Sequence, residues 1–435
     1  MERGEDHPES MMLTDREIAS ITGALEKPLA ELAARFPGES DRRQPVHTVY
    51  GGAHLFKSDT APKLGALALR ALQENAPDAA TFANAIALPS AHAQTIYTRV
   101  VDKLKCEPVE DFRIDFEDGY GNRPDDEEDH HAELAAREIA AGMPNRTLPP
   151  FIGIRVKPFS QELTRRSLRT IDIVLSTLIK EAGKLPPWFV ITLPKIQRVE
   201  QVTALANLFD MLEPKLGLAP KTLKFEFMIE TTQSIPILAP MLDAARGRVV
   251  AAHFGTYDYT ASCNITAAEQ RMDHPACDFA RHNMQVAYSG TGLWLSDGAT
   301  NVMPIGDRQT VHRAWRLHVD HIRHSLVNGF YQGWDLNPAQ LPTRYAAVFS
   351  FFLEGLGPAT ERLRNFIQKA GQATLVGDVF DDAATGQGLL NYFLRALNCG
   401  AITEQEALAT GLTLEELRSR SFVKILRGRR ANAGR

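Results

Sequence analysis

Cysteine is scarce: the 435 residues hold four, Cys106, Cys263, Cys277 and Cys399, far apart and without Cys-x-x-Cys spacing. That excludes a disulfide framework and a zinc ribbon, and it fits a reducing compartment. Charge of one sign is scarce too. Against 53 acidic residues stand 48 Lys and Arg, a formal net charge of -5. No strong field therefore favours nucleic acid or an anionic membrane as a partner, and small-molecule chemistry is the better expectation. Long apolar runs are missing: none approaches the roughly 20 residues that cross a bilayer, and the opening Met-Glu-Arg-Gly-Glu-Asp has no apolar core. A cytoplasmic protein is expected. Only the last stretch is clearly basic, with Arg418, Arg420, Lys424, Arg427, Arg429, Arg430 and Arg435, and it reads as a solvated tail.

What is present is a βα rhythm. Residues 12–43 read as helical, with Thr14 and Asp15 as caps and Ile18, Ile21, Leu25 and Leu29 at spacings of three and four. Apolar β-rich runs then alternate with amphipathic segments. The predicted strands are 47–50, 112–116, 151–156, 188–193, 223–229, 249–254, 293–295 and 330–336. Eight parallel strands, with no Gly-x-Gly-x-x-Gly after the first, predict a closed α/β TIM barrel, (β/α)8, rather than a dinucleotide fold. Beyond Pro342 the strands stop, and 345–356, 360–369 and 388–397 read as helices. The expected organisation is an N-terminal helical extension (1–44), a TIM barrel (45–343) and a C-terminal helical domain (344–435).

In such barrels the reacting groups come from the C-terminal ends of the strands. Charged residues gather there: Asp115, Glu117 and Asp118, Arg155 and Lys157, Lys195, Glu230, Asp258, Asp297 and Asp335. Carboxylates crowded into one mouth repel unless a cation neutralises them, and a divalent metal does that economically. Glu230 and Asp258, from adjacent strands, are the expected pair, leaving positions on a hard cation for water and substrate oxygens. Glu226 shares a strand face with Glu230 and is read as structural. Gly255 lets the backbone pass close to a ligand. Arg155, whose planar fork matches two oxygens, is the expected anchor of a substrate carboxylate.

These segments, in this order, resemble the HpcH/HpaI aldolase and citrate lyase β-subunit superfamily, which includes malyl-CoA lyases and is related to malate synthases. Asp115-Phe116-Glu117-Asp118-Gly119 is similar to its Asp-Leu-Glu-Asp, and Arg155-Val156-Lys157 to its Arg-Val-Asn. Leu193-Pro194-Lys195-Ile196 is similar to Leu-Pro-Lys-Val, and Met228-Ile229-Glu230-Thr231 to Ile-Glu-Thr. Gly255-Thr256-Tyr257-Asp258 resembles Gly-x-x-Asp, and Asn337-Pro338-Ala339-Gln340 resembles His-Pro-x-Gln. The resemblance implies Mg²⁺, or Mn²⁺ in its place, on Glu230 and Asp258, with Glu117 and Asp118 beside the metal. It also implies Arg155 on the substrate's carboxylate or carbonyl oxygen, and a homo-oligomer. The sequence departs from the family at Val49-Tyr50-Gly51-Gly52, where Phe-Val-Pro-Gly is usual, at Lys157 and at Asn337.

The expected activity is a metal-dependent carbon–carbon lyase acting on a 2-oxo acid or its hydroxy-acid adduct through a stabilised enolate. Arg155, Glu117, Asp118, Asp297 and Asp335 are the expected catalytic residues; Arg155, Lys195, Gly255, Thr256 and Tyr257 are the expected substrate contacts. Asp297, Asp335, His47 and His54 are the candidate bases, and a Schiff base on Lys157 or Lys195 is a competing mechanism. Coenzyme A enters if the enzyme is instead a malyl-CoA lyase or malate-synthase-like acyltransferase with a hydroxy-acyl or acyl thioester substrate. A barrel with a regulatory rather than catalytic role is a third reading. His318, His321 and His324 share one side of a predicted helix without a zinc motif and read as a solvated or interface face. The acidic run 125–129 reads as a helix start.

Overall fold

The computed structural model describes residues 12–40, 42–368, 374–376, 379–381, 383–419, 424–425 and 428–429. Arg420, Arg427, Arg430 and Arg435 of the basic tail lie outside the described residues. The chain opens with helix α1 (Asp15–Arg35), where Thr14 Oγ1 accepts from the Glu17 backbone N–H and the Glu17 carboxylate accepts from that of Thr14. This reciprocal cap satisfies two of the donors that a helix start leaves orphaned. None of the residues of α1 is buried.

Strand β1 (His47–Gly52) follows, then α2 (Thr60–Asn75), α3 (Ala79–Ile86) and α4 (Ala93–Cys106) before β2 (Asp111–Asp115). Helix α5 (Asp125–Asn145) leads to β3 (Phe151–Arg155), α6 (Thr164–Ala182) to β4 (Phe189–Leu193), and α7 (Val199–Lys215) to β5 (Lys224–Ile229). Then come α8 (Leu238–Ala244), β6 (Val249–Phe254), α9 (Thr256–Ser262), α10 (Pro275–Tyr288), β7 (Trp294–Ala299), α11 (Arg308–Val327) and β8 (Gln332–Asp335). All eight strands pair in parallel, and β8 closes on β1, with His47 opposite Gly333 and Val49 opposite Asp335. The TIM barrel expected from the sequence is the fold. The acidic run 125–129 does open α5, whose first turn carries Asp125, Asp126, Glu127 and Glu128.

Beyond the barrel the two helices expected over 345–356 and 360–369 are one, α12 (Leu341–Gln368), which runs through Pro358. A proline removes one backbone donor, yet Leu363, Phe366 and Ile367 beyond it are buried in the same core as Tyr345 and Phe349 before it. Burial on both sides of the proline holds the helix together. A short antiparallel pair, β9 (Thr374–Val376) and β10 (Val379–Asp381), and helices α13 (Ala383–Asn398), α14 (Glu404–Leu408) and α15 (Leu414–Arg418) complete the described elements.

Barrel strands covered by helices are buried on both faces, and alternate residues point to the interior and to the helix layer. Here the interior is polar. Arg113 on β2 donates to Glu226 on β5 through Nε (2.7 Å) and Nη2 (2.8 Å). Thr192 on β4 also donates to Glu226, at 2.5 Å, and His253 Nε2 on β6 lies 3.1 Å from it. These ion-pair partners sit under the mouth and give the functional groups above them a fixed floor. Glu226 is thus the structural residue that the sequence reading made it.

Candidate active site

Three carboxylates meet one ammonium at the C-terminal end of the barrel, and a fourth meets the backbone of the same lysine. The Nζ of Lys195, in the loop after β4, bonds to Glu117 and lies 3.2 Å from Asp118 and 3.6 Å from Asp258. Its own backbone N–H donates to Glu230 Oε1 at 2.7 Å, and its φ of +49° holds it in the left-handed region. That backbone is uncommon for a non-glycine residue, and it points both the amide and the side chain of Lys195 at acids. Burial would lower the Lys195 pKa, but Glu230, Glu117 and Asp118 raise it well above the usual lysine range. An ammonium held this firmly is a poor Schiff-base nucleophile.

Glu230 is buried, and burial pushes its carboxyl up to about 8; Lys195 opposes the rise while Glu117 and Asp258 add to it. Glu117 is also raised by burial, against the pull of Arg155 and Lys195. For Asp118 the balance reverses: the same two cations outweigh burial and lower it. Gly255 lies where β5 and β6 converge. A Cβ there would sit 2.5 Å from Glu230 Cβ and 2.7 Å from its Oε2, so only glycine leaves room for the Glu230 carboxylate.

Arg155, at the end of β3, is clamped from below. Its Nε and Nη2 donate to the two oxygens of Asp115 at 2.8 and 2.6 Å, and Nη1 lies 3.1 Å from Glu117. The Tyr50 ring centroid lies 4.8 Å from the guanidinium carbon and that of Trp334 5.9 Å from it. Asp115 also accepts from the backbone N–H groups of Glu117 (3.0 Å) and Gly119 (2.7 Å). One carboxylate therefore shapes the acidic loop and aims Arg155.

The donor set suits a hard divalent cation, since Glu230 and Asp258 offer oxygen ligands that follow adjacent strands, with the carboxylates of Glu117 and Asp118 beside them. Among the described residues no group of three or more His, Cys, Asp or Glu stands close enough to hold a metal by itself. Substrate and water would have to complete the coordination.

A family described as a domain of unknown function (DUF6986) matches residues 25–425. The chain belongs to this family. No curated protein matches the sequence of this DUF6986 chain. Among solved structures, it is similar to a citrate lyase from Burkholderia xenovorans LB400, at 19% identity and a TM-score of 0.58, covering 85% of this chain and 97% of that one. It is also similar to the Haloferax volcanii malate synthase in its lead(II) complex, at 13% identity and a TM-score of 0.50, covering 89% of this chain and 98% of that one. At these identities the likeness is one of fold, and it agrees with the resemblance read from the motifs.

Several expected site residues of this DUF6986 chain stand elsewhere. Asp297 and Asp335 were expected at the mouth, but both face the helix layer. Asp297 is bound by Arg281 of α10 at 3.0 Å and by Ser325 of α11 at 2.5 Å. Asp335 accepts from Arg344 of α12 at 2.9 Å and pairs with His47 Nδ1 at 2.7 Å and His318 Nε2 at 3.1 Å. His47, with its Nε2 accepting from the Glu110 N–H, is likewise turned away from the mouth. His54 lies beside the β2 loop, its ring 5.6 Å from that of Tyr120.

Lys157 donates to the Phe116 carbonyl (2.7 Å) and to the Glu128 carboxylate (2.6 Å), which leaves it no reach to substrate. Tyr257 donates its hydroxyl to the Ala299 carbonyl at 2.7 Å and accepts from the Asn301 N–H at 2.9 Å, so it ties down the loop after β7. Thr256 is buried against the Met272 sulfur. Asn337 caps a short turn, accepting from the Ala339 N–H at 2.9 Å. His318 and His321 are buried rather than solvated; His321 meets Thr300 at 2.9 Å, and the more open His324 meets Asp278 at 2.8 Å. The sequence reading missed the roles of Asp115, Tyr50 and Trp334 in holding Arg155. The Asp-Phe-Glu-Asp-Gly motif pointed at Asp115, but nothing in the sequence pointed at the two rings.

Proposed function

We propose that the protein is a Mg²⁺-dependent carbon–carbon lyase of the aldolase and citrate-lyase type, acting on a 2-oxo acid or its hydroxy-acid adduct. The observation that carries this reading is the convergence of Glu117, Asp118 and Asp258 on the ammonium of Lys195 and of Glu230 on its backbone N–H, beside an Arg155 already clamped by Asp115. Glu230 and Asp258 would hold the metal, with Mn²⁺ an acceptable substitute. When bound, Mg²⁺ supplies Lewis-acid polarisation of a carbonyl that sits beside a carboxylate.

The protein's own residues do the rest. Arg155 binds the carboxylate of the 2-oxo acid and orients the adjoining carbonyl. Lys195 adds positive charge where negative charge develops on the carbonyl oxygen during cleavage. Glu117, whose pKa burial raises, takes the proton of the hydroxyl on the carbon being cut. The C–C bond then breaks to release an aldehyde or keto fragment and an enolate, and the same proton returns to the enolate carbon. Asp118 screens Lys195 and sets its position. Gly255 supports the reading through the space that it leaves beside Glu230.

A second reading, a malyl-CoA lyase or malate-synthase-like enzyme using an acyl-CoA thioester, is favoured by a cavity of about 560 Å³ that opens from Glu230 and Asp258 toward Phe159, Gln197, Arg198 and Gln201. A panel decides between them. Pyruvate, oxaloacetate and glyoxylate are paired with aldehydes or acyl-CoA thioesters, in both directions, with Mg²⁺ or EDTA. Mg²⁺-dependent turnover without coenzyme A marks the aldolase; a strict thioester requirement marks the second reading; EDTA-insensitive turnover overturns both.

We also propose that the protein is a cytoplasmic homo-oligomer whose chain divides into an N-terminal extension (1–44), the barrel (45–343) and a C-terminal domain (344–435). No helix among the described residues is long and apolar enough to cross a membrane. Ile21, Leu25, Leu29 and Leu32 of α1 are exposed and offer an apolar stripe for self-association. Light scattering of the full chain reads the oligomeric state.

A further inference from the structure

The opposite, N-terminal end of the barrel holds a second cavity, of about 510 Å³, that the proposed chemistry does not use. Its size is that of a small-molecule site. The walls are aromatic: Phe151 at the start of β3, Trp188 just before β4 and Trp294 at the start of β7. Their ring centroids lie 5.7 to 6.5 Å apart, and Phe151 and Trp294 form a small apolar cluster with Ala251, separate from the main core. Trp188 is 44% exposed and has a φ of +57°. A bulky aromatic residue rarely adopts that backbone, and such conformations gather at ligand clamps.

The rim is basic. Lys184, Lys221 and Lys224 line it, and among the described residues none of the three is in an ion pair. The acids that line the cavity, Asp111 and Glu226, are deep and already bound to Arg113. The Arg42 guanidinium lies 5.1 Å from the Trp188 ring and 5.0 Å from that of Trp294. Burial lowers the Lys224 pKa, and Arg248, Arg42 and Lys221 lower it further against the pull of Glu213.

We propose that this cavity binds a small planar aromatic anion, its ring against Trp188 and its charged group toward the lysines. Contact with the Trp188 ring would hold the aromatic part, and the lysines select the charge. A phosphate-bearing nucleoside and an aryl carboxylate share this chemistry.

The test uses the Mg²⁺-loaded full chain and two fluorescent probes, 8-anilinonaphthalene-1-sulfonate and the neutral N-phenyl-1-naphthylamine. The sulfonate is expected to bind at least tenfold more tightly, with energy transfer from tryptophan. Its Kd is expected to rise at least tenfold in Lys184→Glu/Lys221→Glu and in Trp188→Ala, with turnover at the mouth unchanged. Competition by AMP or by indole-3-acetate then identifies phosphate or carboxylate as the preferred anion. Equal affinity for the two probes, indifference to both sets of substitutions, or displacement by neither competitor would overturn the proposal. The lysine variant sits on the exposed rim and keeps the test informative if Trp188→Ala fails to fold.

Discussion

Lys195 holds its ammonium 3.6 Å from the Asp258 carboxylate while its backbone amide binds Glu230, so one residue bridges the two acids proposed as metal ligands. A cation entering between those acids competes with the lysine for them. Lys195→Met is therefore expected to bind Mn²⁺ about tenfold more tightly, the effect of roughly one pKa unit of lost competition. Its turnover should fall. Calorimetric titration of the purified variant reads the affinity, and weaker binding would mean that Lys195 supports the site instead of guarding it.

Arg155 is aimed by a bidentate contact to Asp115. Arg155→Lys keeps the charge but loses the fork, and a charged hydrogen bond of this kind contributes about 1.5–3 kcal/mol. The KM for the carboxylate substrate should rise about tenfold or more, and Asp115→Asn should raise it less. Steady-state kinetics with both variants distinguishes aiming from simple charge, because a pure charge effect lowers the KM in Asp115→Asn, which removes a negative charge beside Arg155.

Much of this site is legible in the sequence because each charged residue follows an apolar strand, which places Glu117, Arg155, Lys195, Glu230 and Asp258 at one end of the barrel. The direction of a side chain is not legible in the same way. A barrel strand is buried on both faces, so no polar–apolar alternation says which residues look inward. Asp297 and Asp335 thus read as mouth residues, although Trp334 takes the interior position on β8 and turns its neighbour Asp335 to α11 and α12. The three histidines of α11 misled for the complementary reason. A helical stripe of polar residues reads as a solvated face, but His318 and His321 are buried, bonding to Asp335 and Thr300. Thr14 and Glu17 were easier, since a capping box depends on neighbours in sequence alone.

Because Asp297 and Asp335 face the helix layer, their loss should cost stability and spare chemistry. Breaking a buried ion pair from one side costs about 3–5 kcal/mol. Asp297→Asn and Asp335→Asn should unfold at markedly lower denaturant, while the folded fraction keeps a kcat within about twofold of the parent. A kcat reduced a thousandfold in a well-folded Asp335→Asn would restore it as a base.

Stability should depend on pH through Glu230. Its folded carboxyl, pushed up to about 8, keeps a proton that the unfolded chain releases near 4.5. The metal-free fold therefore has this contribution in full below pH 4.5 and loses it as pH rises to 8. A divalent cation reverses the trend by binding the ionised form, adding about 2.7 kcal/mol at a hundred times its Kd. Thermal melts with and without Mg²⁺ should diverge at pH 8 and coincide at pH 5; melts that coincide at both, with Mg²⁺ saturating, contradict the assignment.

The most direct test of the account is a count of bound metal. Free Mn²⁺ is followed by electron paramagnetic resonance as the full chain is titrated, alongside Glu230→Gln and Asp258→Asn. The account predicts one site per chain in the parent and none in either variant, with all three proteins folded by circular dichroism. An unchanged site in both variants, or no site in the parent, would contradict it.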